Sequence, residues 1–273
     1  MKKDKLIWTL SIGILIVLII IEIFPIFWII LNSFKSYGDI VYYPPKFVFK
    51  PIIDNYIYAI TKTNFLFRIM DSFIITIISV FIAIFAGSLA AYGIIRLKFG
   101  GYGFLLLIIS SRMMPGIALL IPLFTIFMSL GIKNTYITLI LTYSTLSLSF
   151  IIWQMSSFLK EIPKEIEEAA IIDGCNLWQV FFKIIMPISK PGLTAVGIFS
   201  FLGIWNEFLF ASIFSSSNIM TAPVAAAAFV TDRNIPWGPM ASACVMTLIP
   251  AFIFILLVQK QMVEGLTMGA VKG

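Results

Sequence analysis

Six stretches of about twenty predominantly apolar residues, spaced along a chain of 273, constrain this sequence more than any motif it contains. Inside a bilayer no water pairs a free N–H or C=O, so an apolar run of this length crosses as a helix whose backbone bonds are all internal. At ~1.5 Å of rise per residue, about twenty residues span the hydrocarbon core. The spans are expected at about residues 6–31, 71–95, 104–130, 136–159, 193–214 and 240–258. The bulk composition agrees: 60% of residues are hydrophobic, mean hydropathy is +1.03, and 12% are charged where soluble domains carry about a quarter. The expected fold class is all-α, a polytopic membrane protein with six transmembrane helices in one domain over residues 1–273.

Several function classes fall away. The net charge of +6 is dispersed between apolar spans with no aromatic-basic face, which argues for membrane-flanking cations and against a nucleic-acid partner. There is no histidine, and the two cysteines, Cys175 and Cys244, fall in a loop and in a span, so neither a disulfide nor a zinc site is expected. Lys2, Lys3 and Lys5 ahead of an apolar run imitate a signal peptide, but the run is longer than a signal h-region and Ile30-Leu31-Asn32-Ser33 offers no small-x-small cleavage site. It reads as a retained first span.

Orientation follows from the basic residues near span ends. Lys2, Lys3, Lys5, Arg96, Lys98, Lys160, Lys164, Lys183, Lys190 and Lys260 gather on one side, against Lys133 and Arg233 in the short opposite loops. The first side is expected to be cytoplasmic, with both termini there. Lys35, Lys46, Lys50, Lys62 and Arg68 in the long first loop run against this count, but long loops obey the rule least.

The segment at about residues 161–192 reads as two short helices joined by a bend. Pro163 suits a first helical position, and Glu165, Glu167 and Glu168 complement the positive end of the helix dipole. Gly174 suits a left-handed terminating position. Asn176 can cap a second helix with an apolar stripe of Leu177, Val180, Phe181, Ile184 and Ile185, which Pro187 and Pro191 are expected to end. Ala169 and Ala170 leave one face of the first helix thin, open to close approach by a partner.

This segment resembles the EAA loop of ABC importer permeases, patterned as EAA, three residues, Gly, nine residues, then I-x-L-P. Glu168-Ala169-Ala170, Gly174, Ile184 and Pro187 fall at that spacing, with Met186 in place of the usual Leu. The resemblance extends over nearly the whole chain and points to the sugar-type subgroup, similar to the maltose and glycerol-phosphate importer permeases. It is carried also by Ser33-Phe34-Lys35, Pro44-Pro45, Asn55-Tyr56, Arg112-Met113-Met114-Pro115, Ile121-Pro122-Leu123, Trp205-Asn206-Glu207-Phe208, Pro223-Val224 and the tail from Gly265 to Gly273. Asp71-Ser72 departs from the Asn-Ser common at that place. The resemblance implies that Glu168, Ala169, Ala170, Asp173, Gly174, Ile184 and Pro187 dock onto a cytoplasmic ATPase and transmit its closure to the spans. It further implies that Thr267, Gly269 and Lys272 of the tail lie near the ATPase dimer.

A sugar crossing lipid needs hydroxyl partners and flat apolar surfaces. Glu22, Arg112 and Glu207 are ionisable groups at membrane depth, which is a functional expectation in itself. Arg112 and Glu207 are expected either to form a structural ion pair or to touch substrate directly. Trp205 and Asn206 offer an indole face and an amide near the midplane, although an indole packed between helices is an equally good reading. The fourth span carries Thr142, Tyr143, Ser144, Thr145, Ser147 and Ser149, which either line a wet path or bond to backbone carbonyls. Pro115, Pro122, Gly197 and Gly203 fit broken or hinged backbone around a cavity.

No G-x-x-x-x-G-K-[ST] phosphate loop occurs, so the chain is not its own ATPase, and neither a catalytic residue nor a cofactor is expected. A secondary transporter would need midplane acidic groups within inverted repeats, and an intramembrane enzyme a nucleophile-base or paired-aspartate arrangement; neither is evident. The resemblance implies an assembly of this permease, a second and different permease, two cytoplasmic ATPase subunits and an extracytoplasmic solute-binding protein. The expected location is the lipid of a prokaryotic cytoplasmic membrane.

Overall fold

A computed structural model describes the backbone of residues 2–231 and 235–267, and the side chains of 8–231 and 235–259. The tail after Thr267, the side chains of Lys2, Lys3, Lys5 and Lys260, and Arg233 lie outside the described residues. The chain is all helical, with 78% of residues in helix. Four helices are long and apolar enough to cross a membrane, over Trp8–Ser33, Phe65–Ile95, Tyr136–Glu161 and Trp237–Gln259. Two bent pairs bring the number to six if each pair is one span.

The helices are α1 (Lys2–Ser33), α2 (Tyr37–Val41), α3 (Asp54–Lys62), α4 (Phe65–Ile95), α5 (Gly101–Ser111), α6 (Gly116–Ser129) and α7 (Tyr136–Glu161). There follow α8 (Lys164–Ile172), α9 (Leu177–Ile188), α10 (Lys190–Trp205), α11 (Leu209–Phe214), α12 (Ala222–Ala227) and α13 (Trp237–Thr267). The third expected span, at about residues 104–130, is not one helix. It bends by 93° between α5 and α6, at Arg112–Pro115. Pro115 lacks an N–H and pushes the residue before it out of the α region, so α5 stops and α6 starts on its far side. The fifth expected span is also interrupted. Asn206, Glu207 and Phe208 separate α10 from α11, because the Glu207 carboxylate accepts the N–H groups of Phe210 (3.0 Å) and Ala211 (3.2 Å).

The chain divides into two compact units. In the unit of residues 1–67 and 225–250, the Asn55 amide donates to the carbonyls of Ser33 and Lys35, both at 2.9 Å. Ser242 donates to the Asn55 carbonyl at 3.0 Å, and a Cβ added at Gly238 would fall 2.4 Å from the Asn55 side chain. The Ser33 and Tyr56 hydroxyls meet at 2.8 Å, and the Lys35 ammonium lies 4.3 Å from the centre of the Trp28 ring. Ser33-Phe34-Lys35 and Asn55-Tyr56, about twenty residues apart in sequence, are thus one hydrogen-bonded knot. No residue of the most apolar stretch of α1 is buried within the chain.

The second unit, residues 68–224 and 251–273, holds both hydrophobic cores. One core joins α4, α7, α9 and α10 through Ala83, Tyr92, Ile151, Met155, Phe181, Ile185 and Val196. The other joins α4, α6, α7, α10 and α11 around Ile75, Phe127, Leu139, Tyr143 and Phe214. Gly87 allows α4 and α7 to approach closely, since a Cβ there would fall 2.6 Å from Ile151 Cγ2. Helix α4 joins two polar anchors. Near its start, Asp71 accepts from Tyr136, from Arg68 (3.2 Å) and from the Met220 N–H (3.4 Å). Arg68 also donates to the carbonyls of Ser217 (2.7 Å) and Asn218 (2.8 Å). At its end, Arg96 binds Glu167 on α8. Asp71 and Arg96 are roughly 37 Å apart at helical rise, more than the ~30 Å of a hydrocarbon core, so α8 and the 215–220 loop are held at opposite ends of a helix long enough to cross it.

Candidate functional site

The bend between α8 and α9 is built from local hydrogen bonds. Gly174 adopts φ +89°, the left-handed conformation its position suggests. Its N–H bonds to the Ile171 carbonyl at 3.0 Å, and the Cys175 N–H bonds to the Ala170 carbonyl at 3.0 Å, closing a Schellman turn. Asn176 then starts α9 with a reciprocal capping box: its side chain accepts the Gln179 N–H at 2.9 Å, and the Gln179 side chain accepts the Asn176 N–H at 2.8 Å.

Helix α9 ends at Ile188, between Pro187 and Pro191, with Pro187 itself inside its last turn. The turn before Pro187 widens to a π-helix over Val180–Ile185, with the Met186 N–H bonded five residues back to Phe181. The wide turn relieves the clash of a proline ring with the carbonyl four residues earlier. The bend falls at Ser189, where α9 and α10 meet at 75°. The two alanines also part company. Ala169 is exposed with Glu168 and Asp173, whereas Ala170 is buried against the chain's own core. Of the expected stripe, Val180, Phe181 and Ile185 are buried, Ile184 is half-buried and Leu177 is exposed. On the outer side Ile171, Ile172, Leu177, Trp178 and Phe182 are exposed, the last two with rings stacked at 6.0 Å. This exposed apolar patch lies on α8 and the first part of the bent α9–α10 pair, and Phe182 also stacks on Phe85 of α4 at 6.2 Å.

Sequence reasoning missed how this segment is held. The Arg96 guanidinium pairs with the Glu167 carboxylate, both side chains at least nine-tenths buried. Tyr92 donates to the same carboxylate at 3.0 Å, and Arg96 Nη2 donates to the Ile162 carbonyl at 2.7 Å. Arg96 reads from sequence as one more membrane-flanking cation. The available signal was Glu167 itself, a carboxylate on the inward side of a short helix, which needs a partner when buried.

Farther along the spans, the helix breaks frame a cleft of about 210 Å³ lined by Arg112, Tyr143, Ser147, Phe150, Ser200 and Glu207, among others. Arg112 and Glu207 share this cleft without forming the expected ion pair. The guanidinium lies over Phe150, 4.9 Å from the ring centre, while Glu207 takes its bonds from Tyr143 (2.8 Å) and the α11 N–H groups. Three donors already satisfy that carboxylate. Ser200 Oγ is buried with no hydrogen-bond partner among the described residues. Trp205 and Ser144 lie elsewhere: the indole is buried and stacked on Phe201 at 5.7 Å, and Ser144 donates from α7 to the Ser79 carbonyl of α4 at 3.3 Å. Asn206 donates to the Leu202 carbonyl at 2.9 Å, one turn back. Thr142 bonds its own helix and Ser149 pairs with Ser111, so Ser147 is the fourth-span serine left on the cleft.

Residues 79–263 match the family of binding-protein-dependent transport system inner membrane components. A probable ABC transporter permease protein of Sinorhizobium fredii is 37% identical over 98% of this chain and 96% of its own. A trehalose transport system permease protein of Mycobacterium tuberculosis is 36% identical over 91% of this chain and 92% of its own. In fold, the chain is similar to part of a bacterial ABC transporter that imports the acidic polysaccharide alginate, with a TM-score of 0.78 and 18% identity over 95% of this chain and 98% of that one. With an all-helical membrane fold, a relative matching nearly end to end and a family match over most of its length, the chain belongs to the inner membrane components of binding-protein-dependent transport systems, the permeases of ABC importers.

Proposed function

We propose that this permease carries a sugar, oligosaccharide, polyol or sugar-phosphate inward, powered by ATP hydrolysed in two partner subunits that dock on α8 and α9. The observation that carries this reading is the α8–α9 segment itself: an exposed apolar patch on a turn fixed by Gly174 and Asn176 and tied to the end of α4 by Arg96 and Glu167. Glu168, Ala169, Asp173 and Gly174 are exposed at the bend, where a docked ATPase would meet them. Ala170 and Ile184 act from behind, by packing the pair against the spans, and the exposed Pro187 acts through the backbone at the turn into α10.

On this reading α8, α9 and both termini face the cytoplasm, and the 215–220 loop faces the solute-binding protein outside. A second, different permease closes the pathway opposite the cleft. There Arg112, Ser147, Ser200 and the Phe150 ring combine a guanidinium, two hydroxyls and an aromatic face, groups that hydrogen-bond and stack on a sugar ring. Tyr143 and Glu207 hold the cleft wall rather than the sugar. The relative named for trehalose transport supports the substrate class. The test is ATP hydrolysis by the reconstituted complex with binding protein loaded from a panel of sugars. Stimulation by at least one loaded sugar is expected; stimulation only by amino acids or peptides would overturn the substrate class.

A further inference from the structure

A second cavity, of about 410 Å³, lies at the ends of α4 and α7 and the start of α5, where the polar face of the membrane begins. Arg96, Lys98, Lys160 and Lys164 line it, and no carboxylate does. Glu167 neutralises Arg96 from behind, but Lys98, Lys160 and Lys164 have no carboxylate within ion-pair distance among the described residues. Three exposed lysines on one cavity wall, with no carboxylate beside them, make a site of like charge that attracts an anion. The remaining wall is apolar and aromatic. Ile95 and Leu105 face the cavity, and the Tyr102 ring lies 6.0 Å from the Lys160 ammonium. Cations beside apolar surface and an interfacial tyrosine suit a molecule that is anionic at one end and apolar at the other.

We infer that this cavity binds the phosphate headgroup of an anionic phospholipid, with Lys98, Lys160 and Lys164 on the phosphate and the acyl chains leaving past Ile95 and the exposed Tyr102 ring. The shared chemistry is a phosphate anion, and the location at a membrane boundary selects the lipid over a free phosphate. Because Lys164 opens α8 and Arg96 carries the ion pair that fixes it, a bound headgroup would brace the same helix pair.

The test uses the full chain, delipidated in detergent and titrated by native mass spectrometry with short-chain phosphatidylglycerol, with phosphatidylcholine of the same chain length, and with glycerol 3-phosphate and inorganic phosphate. Phosphatidylglycerol should bind at least about tenfold more tightly than phosphatidylcholine, and Lys98→Gln/Lys160→Gln/Lys164→Gln should abolish that preference. Single Lys98→Gln and Lys160→Gln variants, with helical content checked by circular dichroism, should each lose part of it, so the claim does not depend on the triple variant folding. Equal binding of the two lipids, or a preference untouched in the single variants, overturns the site. Competition by glycerol 3-phosphate or inorganic phosphate at concentrations equal to the lipid overturns the lipid as its occupant.

Discussion

At the scale of single residues, the informative groups are those whose charge is fully answered inside the protein. Glu207 was expected either to pair with Arg112 or to touch substrate; it accepts from a tyrosine and two backbone N–H groups, so its work is to begin the helix that follows it. Sequence could place both residues at membrane depth, but not the local bonds that compete for a carboxylate. The Arg96–Glu167 pair is the reverse case, invisible in sequence because 71 residues separate its members. Breaking a buried pair leaves an uncompensated charge at a cost of about 3–5 kcal/mol, whereas removing both charges costs less. Glu167→Gln and Arg96→Gln are therefore each expected to lower the thermal midpoint of the purified chain and to speed proteolysis at residues 162–176. The double variant should sit closer to wild type than either single variant. Additive losses in the double variant would show that the two residues do not act as a pair.

At the scale of elements, length and hydropathy locate the spans well and their interruptions poorly. The ends of α7 were legible because Thr135 caps it, accepting the Thr138 N–H, and an extended Ile162 with Pro163 stops it. The break at Pro115 was harder, since Pro122 in the same stretch sits inside α6 without breaking it. What separates them is the bonding around each proline, and one sequence carries no sign of it. The α8–α9 bend was the most legible part of the candidate site, because Gly174 and Asn176 act through bonds to near neighbours. The π turn before Pro187 and the inward rotation of Ala170 depend on packing against α4 and α10, and were not. Since α8 and the 215–220 loop are held at opposite ends of α4, one comparison tests the proposed orientation. An impermeant thiol reagent on intact cells should label Ser216→Cys and spare Lys164→Cys. The reverse pattern would put the proposed ATPase surface outside the cell.

At the scale of the whole molecule, the chain is a permease that leaves many large apolar side chains exposed. The apolar stretch of α1 ahead of Trp28 is exposed along its length, the cleft at Arg112 is open, and the α8–α9 patch is exposed. Each calls for a neighbour, lipid or protein, and together they describe a subunit of a larger assembly. The central claim is that α8 and α9 couple the spans to an ATPase, and Gly174 tests it most directly. A Cβ at this position meets no atom of the chain within 4 Å, so Gly174→Leu adds only the backbone strain of a left-handed residue, about 1–2 kcal/mol, plus a side chain aimed at whatever docks there. The measurement is ATP hydrolysis stimulated by loaded binding protein in the reconstituted complex, together with co-purification of the ATPase, for wild type, Gly174→Ala and Gly174→Leu. The account predicts normal membrane insertion in all three, a partial loss of stimulation with alanine and a near-complete loss with leucine. Full stimulation and full ATPase retention in the leucine variant would contradict it.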